Sequence, residues 1–252
     1  ACFHDRGEFF KVVEKSGIPV HIVQFTTPMN YRIKGLFQCW AVARQIKTIN
    51  PHLIHSFHYA PDYSEALAAQ MGRVPWIFTK KNMNWGGKSK NGWKLRSALA
   101  KYIIIQNTDM KEAFYPKSSK IIHIPIGVDI KEFSPQRKNI KLLNKYSISV
   151  DDKVILCVAN LVPVKGIEVL IKAFELLFYD QQNIYLFIIG DNDNDYGKQL
   201  VESTNKLKSR EKIYFTGKKQ NIMGYYSIAD IFVLPTLNEG RKEGCPVALL
   251  EA

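Results

Sequence analysis

Two glutamates near the end of the chain have seven residues between them: Glu243 and Glu251 flank Gly244-Cys245-Pro246-Val247-Ala248-Leu249-Leu250. Proline is favoured at the first helical position because its missing N–H would go unsatisfied there anyway. Read that way, Pro246 opens an apolar helix. The free amides of Val247 and Ala248 then point out of a helix N-terminus, where the dipole favours an anion such as phosphate. Glu243 falls just before that helix, and Glu251 about a turn and a half inside it. Lys165 points to similar chemistry, in the stretch Ala159-Asn160-Leu161-Val162-Pro163-Val164-Lys165-Gly166 at the start of another helical pattern. A lysine there adds to the helix dipole instead of complementing it, and a bound anion would remove the conflict. A solvated surface lysine is the plainer alternative.

Other clusters carry less. Asp191, Asp193, Asp195 and Glu202 fall where a calcium loop has its ligands, but Tyr196 stands where that loop needs glycine. A strand pattern also precedes the segment where a helix should, so it reads as an acidic surface turn. His52, His55 and His58 straddle the end of a strand pattern and cannot share a face, so no metal centre is expected from them. His58 alone could face a crevice. The four cysteines, Cys2, Cys39, Cys157 and Cys245, form no CxxC pair, which favours a reducing compartment over a disulfide framework. No glycine fingerprint for a dinucleotide follows any strand.

These residues must be positioned by what surrounds them, and the surroundings repeat. Short apolar runs are expected as strands at 19–25, 52–57, 75–79, 102–106 and 120–124, with helices at 6–15, 35–49, 64–71, 93–100 and 110–115 between them. After a turn-rich connection at 125–135 the pattern restarts, with strands at 154–159, 184–189, 213–216 and 231–234 and helices at 166–178, 198–207 and 222–228. Such alternation specifies parallel sheets covered by helices. The expected fold is α/β, two tandem doubly wound Rossmann-like domains, residues 1–135 and 136–252. Ligands in such sheets bind beyond the carboxyl ends of the strands, where Lys165 and Glu243 both lie.

The chain has 252 residues, 46% of them hydrophobic, and a formal net charge of +12. The charge is uneven: +10 over residues 1–135 and +2 over 136–252. Residues 73–101 hold eight basic side chains and no acid. Such a face suits nucleic acid, an anionic membrane or a phosphorylated substrate. No apolar run is long enough to span a bilayer.

Taken together, several stretches resemble the family-four retaining glycosyltransferases of the GT-B fold. They are Val158-Ala159-Asn160-Leu161-Val162-Pro163-Val164-Lys165-Gly166, Ile124-Pro125-Ile126-Gly127-Val128-Asp129 with Phe133, Phe215-Thr216-Gly217, Ala229-Asp230-Ile231, and residues 243–252. The most specific is the pair of glutamates, with Glu243 and not Glu239 as its first member. The resemblance implies transfer of a sugar from a nucleotide-diphosphate-sugar to a glycan or lipid-linked acceptor, with retention at the anomeric carbon and no metal or other cofactor. By position, Lys165 would bind the diphosphate, Glu251 the ribose hydroxyls and Glu243 the donor sugar. Asn160 and the backbone from Gly244 through Cys245 and Pro246 to Val247 would line the donor. The acceptor would meet residues 1–135.

Three departures stand out. Asn160 replaces a frequent arginine, so one diphosphate contact is lost or comes from a residue such as Arg241. Lys80-Lys81-Asn82 stands where the family often has a histidine. A first strand with its glycine-rich loop and the closing helices are both missing, so both domains are expected to be incomplete and the chain to be a fragment that is inactive on its own. A cytoplasmic enzyme held peripherally at an anionic membrane, not at nucleic acid, is the expectation. A sugar-nucleotide epimerase of the same fold and a non-enzymatic basic binding protein are the alternatives.

Overall fold

The most uniformly apolar segments of the chain become its central strands. A computed structural model describes residues 8–58, 60–85, 90–238 and 243–252. Two compact units divide between Pro125 and Ile126.

In the first unit, β1 (Ile54–Ser56), β2 (Trp76–Lys80), β3 (Tyr102–Ile105) and β4 (Ile121–His123) form a parallel sheet in chain order. The helices are α1 (Glu8–Lys15), α2 (Arg32–Ile49), α3 (Ser64–Met71), α4 (Lys90–Leu99) and α5 (Asp109–Phe114). Trp76, Phe78, Trp93, Ile103, Ile105 and Met110 make one core, and Cys39, Val42, Ile46 and Ala68 seat α2 in a second. Residues 19–25, whose apolar alternation predicts a strand, join neither sheet. Only Ile22 there makes a bridge, because alternation alone cannot hold a strand without a ladder to a neighbour.

The second unit holds α6 (Ile140–Lys145), β5 (Lys153–Val158), α7 (Ile167–Asp180), β6 (Ile184–Ile189), α8 (Asp195–Thr204), β7 (Ile213–Phe215), α9 (Met223–Ile228), β8 (Ile231–Phe232) and α10 (Val247–Glu251). Its strands are parallel in the order β7-β6-β5-β8. All six residues of β6 are buried, as a central strand covered on both faces requires. Ile184, Leu186 and Ile188 pack with Ile167, Leu170 and Phe174 of α7 on one face. Tyr185, Phe187 and Ile189 pack with Leu143, Tyr225 and Ile228 on the other. Each such side chain contributes about 1.5–3 kcal/mol by leaving water.

Residues 126–135 belong to the second unit, so packing places the boundary ten residues before the one drawn from turn composition. Phe133 lies edge-on to Tyr226, their ring centroids 6.2 Å apart. Helix α8 starts three residues before the expected 198, because Asn194 caps it: its Oδ1 accepts from the Gly197 N–H at 2.9 Å.

Candidate functional site

The second sheet runs β5 to β6 to β7 on one side and then crosses back to set β8 against the other edge of β5, pairing Ile155 with Ile231 and Leu156 with Phe232. Strand order therefore reverses at β5, and the loops leaving β5 and β8 emerge side by side. That is where open α/β sheets gather ligand-binding groups.

Main-chain contacts fix the two loops to each other. After β5 the chain makes a 3₁₀ turn, Pro163–Lys165, and enters α7 through Gly166 at φ 65°. A Cβ on Gly166 would lie 2.2 Å from the Pro235 carbonyl oxygen. The Leu237 N–H donates to the Val164 carbonyl at 2.9 Å. Gly190, at the end of β6, lets the Ala159 carbonyl approach as closely: an added Cβ there would sit 2.0 Å from that oxygen.

On this frame Lys165 is 7% exposed, and its Nζ pairs with Glu243 Oε2 at 2.8 Å. The two residues singled out for chemistry, 78 positions apart in the chain, thus meet directly. Glu243 keeps 44% of its side chain accessible, so the pair sits at the rim of the site with its carboxylate facing solvent. Cys157, under the same loop, is fully buried; burial pushes its thiol up to about 12, against the opposing pull of Lys165. It is a packing residue, not a nucleophile.

Glu251 is held separately. Tyr226 Oη donates to Glu251 Oε2 at 2.9 Å and lies 3.3 Å from the Ala248 carbonyl. Burial, and then the Glu251 carboxylate, raise the tyrosine's pKa, so the hydroxyl stays a donor. Phe232 and Phe133 flank the ring. Sequence reasoning missed Tyr226, which reads there as one more aromatic in a helical pattern.

Pro246 is the N-cap residue of α10, not its first helical residue as expected. With φ −75° and ψ 113° it is extended, and its carbonyl accepts from Leu249 at 3.2 Å. The helix opens at Val247, whose side chain is exposed, while Gly244, Cys245 and Pro246 are half-buried. Asn160 is exposed, and its carbonyl accepts from the Val162 N–H at 3.0 Å. Residues 239–242, Arg241 among them, lie outside the described residues.

Asp191 to Asp195 form the turn that leads into α8: the Asp193 N–H donates to Asp191 Oδ1 at 3.0 Å, and Asp195 sits in the helix's first turn, where the dipole favours it. Among the described residues no three His, Cys, Asp or Glu side chains are placed to hold a metal ion.

In the first unit the basic stretch is not one open face. Lys80 and Arg96 are wholly buried. The Arg96 guanidinium lies over Trp76, Phe78 and Trp93 and donates to the carbonyls of Asp62 at 2.7 Å and His58 at 2.9 Å. Glu65 Oε2, 3.8 Å away, accepts from Ser56 Oγ at 2.7 Å. His55 bonds Thr79 at 2.8 Å. Burial, with Arg96 next, keeps His58 below the usual imidazole range. His58 lines a cavity of about 570 Å³ with Phe25, Ile46 and Leu53. Gly86, Gly87 and Lys88 lie outside the described residues.

The chain is 30% identical over 146 residues to a GDP-mannose-dependent alpha-(1-6)-phosphatidylinositol monomannoside mannosyltransferase of Mycolicibacterium smegmatis, an alignment covering 56% of this chain and 37% of that protein. In structure it is similar to a glycosyltransferase of Rickettsia africae ESF-5 (TM-score 0.76, 22% identity, covering 92% of this chain and 63% of that one). It is also similar to Anabaena HepE in complex with UDP (TM-score 0.75, 20% identity, covering 93% and 65%). The chain thus spans less than two thirds of the length of each. These structural likenesses establish the GT-B glycosyltransferase fold. Residues 138–252, the part that contains Lys165, Glu243 and Glu251, match the family described as "Glycosyl transferases group 1".

Proposed function

We propose that the protein transfers a hexosyl group, with retention at the anomeric carbon and without a metal, from a nucleotide-diphosphate-sugar to a glycan or lipid-linked acceptor at the cytoplasmic side of a membrane. The observation that carries this reading is the 2.8 Å pair between Lys165 and Glu243 on adjacent loops at the strand-order reversal. A buried ammonium beside an open carboxylate offers two complementary contacts: the cation for a diphosphate, the acid for sugar hydroxyls. The bound UDP of Anabaena HepE and the GDP-mannose dependence named for the mycobacterial relative support a nucleotide donor. The lipid acceptor in the latter's name supports a lipid-linked one.

In this reading the bond between the sugar's anomeric carbon and the diphosphate oxygen breaks while the acceptor oxygen bonds that carbon from the same face. The acceptor's proton passes to the departing phosphate oxygen. Negative charge grows on the diphosphate as it leaves, and Lys165, held in place before the reaction, stabilises it without reorganising. Glu243 positions the sugar and offsets its developing positive charge. Glu251, steadied by Tyr226, takes the ribose hydroxyls, and Asn160 with the backbone of residues 244–247 lines the donor. Acceptor recognition falls to the first unit.

A screen of nucleotide sugars for thermal stabilisation identifies the donor without knowledge of the acceptor. In the full-length protein, Lys165→Ala is expected to lower transfer about 100-fold or more, and Glu243→Gln to lower it comparably, with both variants folded. Full activity in both would remove these residues from the chemistry.

A further inference from the structure

Helix α2 has two apolar faces, and the fold uses only one. Its inward face, with Gly35, Cys39, Val42, Ala43 and Ile46 buried, packs on Ala68 and the neighbouring side chains of the first unit. Residues spaced three, four and seven apart on the opposite face remain in solvent: Ile33 is 74% exposed, Phe37 71%, Trp40 55% and Leu36 43%. Farther along the same face stand Arg44, whose guanidinium lies 5.1 Å from the Trp40 ring centre, and Lys47. A soluble surface helix normally turns charge outward; here two and a half turns of apolar and aromatic surface lead into a basic end.

We propose that the outward face of α2 is the surface by which this protein rests on an anionic lipid bilayer. Ile33, Leu36, Phe37 and Trp40 enter the boundary between headgroups and acyl chains, while Arg44 and Lys47 meet lipid phosphates. A helix with apolar and aromatic residues beside basic ones lies in the interface plane in this way, and a tryptophan prefers that depth. Charge selects the occupant. No Asp or Glu stands between Glu14 and Asp62, whereas Lys15, Arg32, Lys34, Arg44 and Lys47 all do, so the whole segment is attracted to an anionic surface. A second copy docked on this face would bring like charges together or set them against Ile33 and Phe37. Among the described residues no helix is long and apolar enough to cross a membrane, so α2 lies on the bilayer. The proposal extends the reading of a lipid-linked acceptor but rests on α2 alone.

Sedimentation with phosphatidylcholine vesicles, with and without phosphatidylglycerol, tests it on the whole chain. The native protein is expected to bind the anionic vesicles, with a blue shift of tryptophan emission that Trp40→Phe abolishes. Phe37→Ser combined with Trp40→Ser should weaken binding at least about tenfold. Arg44→Ala combined with Lys47→Ala should weaken it by about tenfold, more steeply at low salt. All these side chains are exposed, so thermal unfolding should be unchanged. Native binding no tighter to anionic than to neutral vesicles, or variants that bind as the native chain does, would overturn the proposal. So would lipid-free self-association that Phe37→Ser and Trp40→Ser abolish without affecting vesicle binding, which would assign the face to a second copy. Thermal stabilisation by nucleotide sugars, followed in the same variants, reports the donor reading separately, and either result can fail without the other.

Discussion

Raising the pH from 7 to 10 should stabilise the native chain relative to a Lys80→Met variant. Lys80 ends β2 with no accessible surface. Its Nζ donates to the carbonyls of Asn82 at 2.8 Å and Asn84 at 2.5 Å and lies 3.9 Å from the centre of the Phe114 ring, with Trp85 and Trp93 beyond. Burial lowers its pKa from 10.5 to about 8. The unfolded chain therefore holds this proton up to about pH 10.5, whereas the native chain releases it near pH 8. Wherever the unfolded state binds more protons, stability rises with pH. Below pH 8 both states carry the charge and the native state bears its full desolvation. Integrating between the two pKa values gives a gain of about 2.5 kcal/mol from pH 7 to pH 10. Other lysines and tyrosines titrate over the same range, but they are common to both proteins and cancel in the difference. Urea unfolding followed by tryptophan fluorescence at several pH values, native against Lys80→Met, provides the comparison. A difference that stays flat to within about 0.5 kcal/mol would mean that the amine is solvated as in an open chain, and the burial argument would fail.

Three further substitutions probe the frame of the site. Gly166→Ala puts a side chain at φ 65° against the Pro235 carbonyl and should cost more than about 2 kcal/mol in chemical denaturation. Tyr226→Phe removes the donor to Glu251; it should cost about 1 kcal/mol of stability and weaken nucleotide-diphosphate binding several-fold by calorimetric titration. For Asp230, burial alone would raise the pKa, but the Val154 N–H, then Lys138 and Lys153, hold it below the usual range. Native chain and Asp230→Asn should therefore differ by about 1–2 kcal/mol above pH 4, and the difference should vanish as pH falls toward the lowered pKa.

The sequence carries this fold most clearly where burial is most complete. The run Ile184–Ile189 is apolar throughout because both its faces are covered, so its strand is legible from composition alone. Residues 19–25 are also mainly apolar, though broken by His21 and Gln24, and form no ladder, since pairing depends on what lies alongside. Helix α6 has no long apolar stripe to announce it; it forms where Asn139 caps it, accepting from the Leu142 N–H at 3.1 Å, and Leu143 finds Tyr225 and Ile228. Lys165 and Glu243 were each legible from local context, but their contact depends on β8 returning to the edge of β5, which no local window contains. Charge misled at Lys80 and Arg96: eight basic residues suggested an open basic face, yet these two serve as internal hydrogen-bond donors among aromatic rings.

The bond from the Leu237 N–H to the Val164 carbonyl, with the contact of the Pro235 carbonyl on Gly166, has a consequence for which substitutions the two loops can accept. The position of Lys165 beside the β8 loop is set by main-chain atoms and by one residue that must lack a side chain. Exchange of other loop side chains therefore leaves the backbone of Lys165 where it is, so that, in the function proposed above, what surrounds the sugar can change while the phosphate end keeps its place. Gly166 is the exception, since even a methyl group there would separate the two loops.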